Sequence, residues 1–168
     1  KDKLRFSVSN FINPTRYIDL DLNTLDYTIV WQDKVSNFNP ADYEKTFTYY
    51  ESKDGTMVPL TYFHRKDLEI NTETPIFLYG YGGYNISIRP SFSRKYVGWL
   101  ELGGVVAIAN LRGGGELGKK WHNAGRLKEK QNVFDDFLYA SKYLEANNIG
   151  NRKSTVISGR SNGGLLVG

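Results

Sequence analysis

The residues of this sequence best suited to chemistry are Gly159-Arg160-Ser161-Asn162-Gly163, a G-x-S-x-G pattern. The pattern alone is short and recurs by chance, so its setting decides its value. Ser154 to Ser158 ahead of it reads as a strand, and Leu165-Leu166-Val167 behind it reads as the apolar start of a helix. Strand, sharp turn and helix in that order form a nucleophile elbow, whose serine hydroxyl can attack a carbonyl carbon. Side chains two residues either side of the serine would collide with neighbouring chain, and glycine at both places removes them. The hydroxyl is then held above the sheet edge, at the positive end of a helix. The competing reading is a glycine-rich loop in which Ser161 is merely exposed.

A serine nucleophile needs hydrogen-bond donors for the oxyanion it creates. The elbow supplies one, the backbone N–H of Asn162. A second usually comes from the loop after an earlier strand. Tyr79-Gly80-Tyr81-Gly82-Gly83-Tyr84 follows the apolar stretch Ile76 to Tyr79 and fits that place. Its glycines let a substrate approach the backbone, and a tyrosine hydroxyl is a good neutral donor. The other reading of this stretch is a flexible loop with core tyrosines.

Three further features carry less. Gly113, Gly118 and Lys119 match the start of a phosphate loop, but Lys120 stands where a magnesium-binding hydroxyl is required. The two histidines, His64 and His122, read as satisfied surface or loop residues. Asp135 and Asp136 fall in the first turn of a predicted helix, where the helix dipole accounts for acidic residues. In the chain order of α/β-hydrolases the acid and base follow the serine. Asn162 to Gly168 contain no Asp, Glu or His, so no triad is recognisable.

The elements that must position Ser161 emerge from hydrophobic patterning. Leu4, Phe6 and Val8 alternate with polar residues, and Arg16 to Leu20 and Tyr27 to Trp31 follow after turn-rich stretches, as antiparallel strands do. Asn37 to Asp42 reads as a linker or a domain crossing. Thr46 to Lys53 and Thr56 to Phe63 flank Asp54-Gly55, which predicts a hairpin with a type I′ turn. Pro75 to Tyr79 and Val105 to Ala109 are apolar at nearly every position, as buried parallel strands are. Helical spacing of Phe134, Phe137, Leu138, Ser141 and Leu144 predicts a helix over Val133–Asn147 with Asn132 as its N-cap. The order is antiparallel strands first, then α/β.

Length and composition bound the rest. The 168 residues are 40% hydrophobic and 14% aromatic, enough to build a core. The absence of cysteine removes disulfides, thiolate-bound zinc and a cysteine nucleophile. The net charge of +4 is scattered, as in an ordinary soluble protein rather than a nucleic-acid binder. No apolar run is long enough for a membrane helix, and Lys1 to Phe6 do not form a signal peptide.

With these residues in view, the sequence resembles the prolyl oligopeptidase family of serine peptidases. The resemblance rests on Ser52 to Thr56, Leu78 to Ser87, Ala109 to Glu116, Phe134 to Phe137 and Ser161 to Leu166, in the family's order. It implies that residues 1–36 are the end of a β-propeller and 37–168 the N-terminal part of an α/β-hydrolase peptidase domain. It implies Ser161 as nucleophile, the Asn162 N–H and the Tyr81 hydroxyl as oxyanion donors, and Tyr84 in the proline pocket. The implied activity is cleavage after proline in short peptides, by a cytoplasmic monomer that uses no cofactor or metal and binds neither nucleic acid nor membrane. The acid, the histidine and most of the propeller would belong to a longer chain, so the 168 residues alone are expected to be inactive. Arg160 stands where the family usually has glycine. Oligopeptidase B, which prefers basic residues, shares Arg112 to Glu116 but typically has Ala at the position of Asn162. An esterase on the same fold and a non-catalytic peptide-binding module are the remaining alternatives.

Overall fold

The computed structural model describes residues 2–168. Lys1, which opens the stretch read as lacking signal-peptide character, lies outside them. Strands β1 (Lys3–Val8), β2 (Arg16–Asp21) and β3 (Tyr27–Gln32) form an antiparallel sheet in that order. Their apolar residues alternate as expected, but Leu4, Phe6, Ile29 and Trp31 remain exposed. The loop between β1 and β2 is different. Phe11 and Ile12 are buried in the second sheet's core, with Phe11 stacked on Phe63 at 5.2 Å.

The predicted linker contains one 3-10 turn, Pro40–Asp42, whose preceding Asn39 side chain accepts from the Ala41 N–H. It leads into β4 (Tyr43–Glu51) and β5 (Met57–Arg65). The turn between them is not type I′. Only Gly55 has positive φ, at 82°, while the Gly55 N–H donates to Ser52 O and the Ser52 N–H to Thr56 O. That pattern is a three-residue loop ending in a glycine bulge, which needs one left-handed residue rather than two.

The remaining elements are β6 (Ile76–Gly80), α1 (Arg94–Glu101), β7 (Val105–Ala109), α2 (Lys119–Asn123), α3 (Gln131–Ala146), β8 (Thr155–Ser158) and α4 (Asn162–Val167). The strands join in the order β4-β5-β7-β6-β8, with β7, β6 and β8 parallel. The hairpin is thus part of the α/β sheet, through antiparallel pairing of Leu60 with Ala109 and Phe63 with Val106. Every residue of β7 is buried. Val105, Ala107 and Ala109 pack with Val133, Phe137 and Ala140 of α3, and Val106 and Ile108 pack with Tyr96 and Leu100 of α1. Strand alternation under two layers of helix produces that split. Among the described residues β8 is paired only through β6, and its Val156 and Ile157 are about half exposed. Among the described residues no helix is long and apolar enough to cross a membrane.

Two expectations about α3 are corrected. The helix begins at Gln131, and Lys130 rather than Asn132 occupies the capping position. The chain enters from a 3-10 turn, Leu127–Glu129, so Lys130 already has helical angles of −61° and −29°. The Asn132 amide instead donates to Ala124 O at 2.9 Å. This earlier start moves Asp136 into the second turn, where the dipole is no longer its explanation. Asp136 is completely buried and accepts from Arg112 Nη2 and from Ser52 Oγ, both at 2.6 Å.

Arg112 also reaches Asp54 at the hairpin tip. Hydrogen bonding to that guanidinium holds the Asp54 carboxyl at about 2, below its ordinary value of 3.8. A lowered folded-state pKa contributes stability that is present above the unfolded value and lost as pH falls through the folded one. Asp54 is half exposed, so solvent and salt reduce the effect. In acid titrations of the full-length protein followed by circular dichroism, Asp54→Asn should flatten the loss of stability between about pH 4 and pH 2. An unchanged acid profile would remove Asp54 from that linkage.

Candidate active site

β8 ends at Ser158 and α4 begins at Asn162, so the chain turns within Gly159, Arg160 and Ser161. Ser161 has φ 57° and ψ −120°, a conformation that side-chain-bearing residues rarely adopt. Strain of this kind persists only where the surroundings enforce it. They do so here through contact too close for a Cβ: one on Gly159 would lie 1.8 Å from Gly163 O, and one on Gly163 2.9 Å from Gly80 O. Arg160 is exposed, and its carbonyl accepts from the Gly163 N–H at 2.9 Å.

Ser161 is exposed on a cleft of about 420 Å³ that Tyr79, Tyr81, Ile88, Arg89 and Arg160 also line. The structure therefore brings Ser161 and Tyr81 together. The Asn162 backbone N–H has no hydrogen-bond partner among the described residues. Tyr84 does not share this cleft. It has φ 53°, is 76% exposed, and lines a second cleft of about 700 Å³ with His122, Arg126, Lys130, Asn162 and Leu165. Asn162 stands between the two: its backbone follows Ser161, and it lines the second cleft with Lys130, which donates to its side chain.

The Tyr81 loop is held from several sides. Asn162 Nδ2 donates to Tyr81 O, and Lys130 Nζ donates to Gly82 O at 2.9 Å and to Asn162 Oδ1 at 3.1 Å. A Cβ on Gly83 would lie 2.5 Å from Asn162 Nδ2, so this glycine makes room for the asparagine side chain. The glycines here serve close packing as much as substrate approach. Lys130 carries no local signal in the sequence that marks it as part of a site.

The two histidines lie elsewhere. His64 is buried in β5, with Nδ1 2.8 Å from Arg65 O, rather than on a surface or loop. His122 has Nδ1 2.7 Å from Gly113 O and faces the second cleft. The Gly113 to Gly118 stretch is no anion cradle. The amides of Gly113, Gly114, Gly115 and Gly118 donate to the carbonyls of Trp121, Leu111, Ile86 and Gly115.

A profile of the prolyl oligopeptidase family matches residues 90–168. The prolyl endopeptidase of Elizabethkingia meningoseptica is 43% identical over 165 residues, 98% of this chain and 23% of that protein. The chain belongs to the prolyl oligopeptidase family. Two solved members are also similar across 99% of the chain. Prolyl oligopeptidase B from Galerina marginata, bound to a 35-residue hydrolysis and macrocyclization substrate, has a TM-score of 0.93 at 36% identity and is covered over 24% of its length. Oligopeptidase B from Leishmania major has a TM-score of 0.90 at 32% identity and is covered over 23%. The 168 residues thus span about a quarter of the length of the family members they match.

Proposed function

We propose that the protein containing this chain is a serine peptidase that cleaves after proline in short peptides. The supporting observation is the juxtaposition of a strained, exposed Ser161 and Tyr81 on one cleft, with the Asn162 N–H unpaired beside them. Ser161 Oγ attacks the scissile carbonyl carbon and gives its proton to a general base. The carbonyl oxygen takes up negative charge and receives hydrogen bonds from the Asn162 N–H and the Tyr81 hydroxyl. The C–N bond then breaks, the leaving amine takes the proton, and water hydrolyses the acyl-serine ester. In this reading the histidine base and its orienting acid come from the rest of the full-length protein. Tyr84 contacts the substrate from the second cleft, across Asn162 from the nucleophile. Residues 1–36 are assigned to the end of a β-propeller and 37–168 to the hydrolase domain, in keeping with the two separate sheets.

Relatives of both the prolyl and the oligopeptidase B type are similar to this chain. Asn162 favours the prolyl reading, because oligopeptidase B typically has Ala at that position; here the side chain bonds to Tyr81 O and to Lys130. In the full-length enzyme, Tyr81→Phe should lower kcat on a proline-containing reporter peptide by about 10²–10³-fold, the scale for one oxyanion donor. An unchanged kcat would remove Tyr81 from the site. Faster cleavage after lysine or arginine than after proline would replace the prolyl assignment with the basic-specific one.

A further inference from the structure

We propose that Lys130 is a positioning residue for the oxyanion hole: its ammonium ties the Tyr81–Gly82 backbone to the side chain of Asn162 and so sets where the two oxyanion donors stand. This inference rests on the catalytic reading of Ser161, Tyr81 and Asn162 given above. Lys130 sits at the capping position of α3, and Nζ reaches across to Gly82 O at 2.9 Å and Asn162 Oδ1 at 3.1 Å. Asn162 Nδ2 closes the ring on Tyr81 O. Every member of this ring except Lys130 belongs to the loop or the elbow that carries an oxyanion donor. The ring therefore joins two segments that are far apart in sequence at the point where their spacing matters.

The chemistry of the contact argues against a merely stabilising role. Among the described residues no carboxylate lies within ion-pair distance of Lys130, and both acceptors are neutral amide oxygens. Burial without a counter-charge disfavours the ammonium and lowers its pKa. Lys130 is half-buried, so this cost is modest, and beyond the Phe134 ring 6.0 Å from Nζ the ammonium gains only its two bonds to the loop and the elbow. An ammonium does offer several rotatable donors on a compact charge, so one group can hold two carbonyl oxygens at a fixed separation. Donors in an oxyanion hole must meet the developing charge within a fraction of an ångström, and the groups behind them must be equally well held. Lys130 itself does not line the Ser161 cleft, so its effect passes through Tyr81 and Asn162.

The test uses the full-length enzyme, a proline-containing reporter peptide, and the variants Lys130→Met, Lys130→Ala, Asn162→Ala and the double variant Lys130→Met with Asn162→Ala. Asn162→Ala keeps the backbone N–H while removing the side-chain half of the ring. Lys130→Met should lower kcat by on the order of 10²-fold, the cost of a small misplacement, with little change in KM. Asn162→Ala should lower kcat to a similar degree, and the double variant should be no worse than the worse single, because one ring is broken in each case. Lys130→Ala should regain part of its kcat in added ethylammonium, which a purely structural lesion would not. An unaltered kcat in Lys130→Met, a rise in KM alone, or strictly additive losses would overturn the proposal. If Lys130→Met does not fold, an unaltered kcat in Asn162→Ala does so. Turnover that survives Ser161→Ala would instead overturn the catalytic reading on which the proposal rests.

Discussion

Replacing Ser161 by alanine in the full-length enzyme is expected to lower kcat on proline-containing peptides by about 10⁶-fold, the scale for losing a serine nucleophile. The expectation follows from the elbow. The φ of 57° at Ser161 is enforced by Gly159 and Gly163, whose neighbours leave no room for side chains, and the result is a hydroxyl presented to a cleft. Alanine accepts the same backbone and leaves the cleft walls in place, so KM should change little. In the proposed mechanism what disappears is the covalent step, and with it the splitting of one difficult displacement into two easier ones. A serine-directed phosphonylating reagent should label the wild-type enzyme at Ser161 and leave the variant unlabelled. Labelling at another residue, or turnover that persists in the variant, would show that this hydroxyl is not the nucleophile.

The second large effect is on stability. Arg112 is 3% exposed and Asp136 is fully buried, and together they bind the loop after β7 to α3 through several hydrogen bonds. Ser52 and Asp54 bring the β4–β5 hairpin tip into the same cluster. Tyr50 adds a bond from its hydroxyl to Asp136 O at 2.7 Å. Removing one partner of a buried ion pair leaves an uncompensated charge, which costs about 3–5 kcal/mol. Arg112→Met in the full-length protein should therefore lose about that much in urea unfolding followed by circular dichroism. Replacing both partners, Arg112→Met with Asp136→Leu, should recover a large part of the loss, because the lone charge is gone. A loss below about 1 kcal/mol in Arg112→Met would mean that water or a rearranged neighbour satisfies Asp136. The cluster also bears on the site, since α3 carries Lys130 next to its first turn.

The legible parts of this protein are those whose signals are local. The elbow is visible in Gly159 and Gly163 because a sharp turn forbids side chains at fixed offsets from the serine. β7 is visible because a strand covered on both faces has to be apolar throughout. The body of α3 is visible in its helical spacing, although its start is not, because the 3-10 turn ahead of Gln131 takes over the capping role. The hairpin is visible in Asp54-Gly55, but its turn type depends on how the strands twist and pair around the loop. Helix α1 leaves no clear helical pattern in the sequence. Gly98 interrupts its pattern, and it is held by packing of Tyr96 and Leu100 against β7 rather than by propensity.

Other features depend on residues distant in sequence. The burial of Asp136 follows from Arg112, 24 positions away, and an aspartate in a helix looks the same in sequence whether it faces water or a guanidinium. Tyr84 sits one glycine pair beyond Tyr81, yet its positive φ directs it to a different cleft. Lys130 joins Gly82 to Asn162 across 48 and 32 positions. Chain order alone thus specified the elbow, the buried strands and the family to which they point, because backbone sterics and burial patterns act over a few residues. Folding in three dimensions decided which cleft each tyrosine enters, which acid is buried and which cation braces the loop. Those outcomes depend on through-space distances that no local spacing encodes.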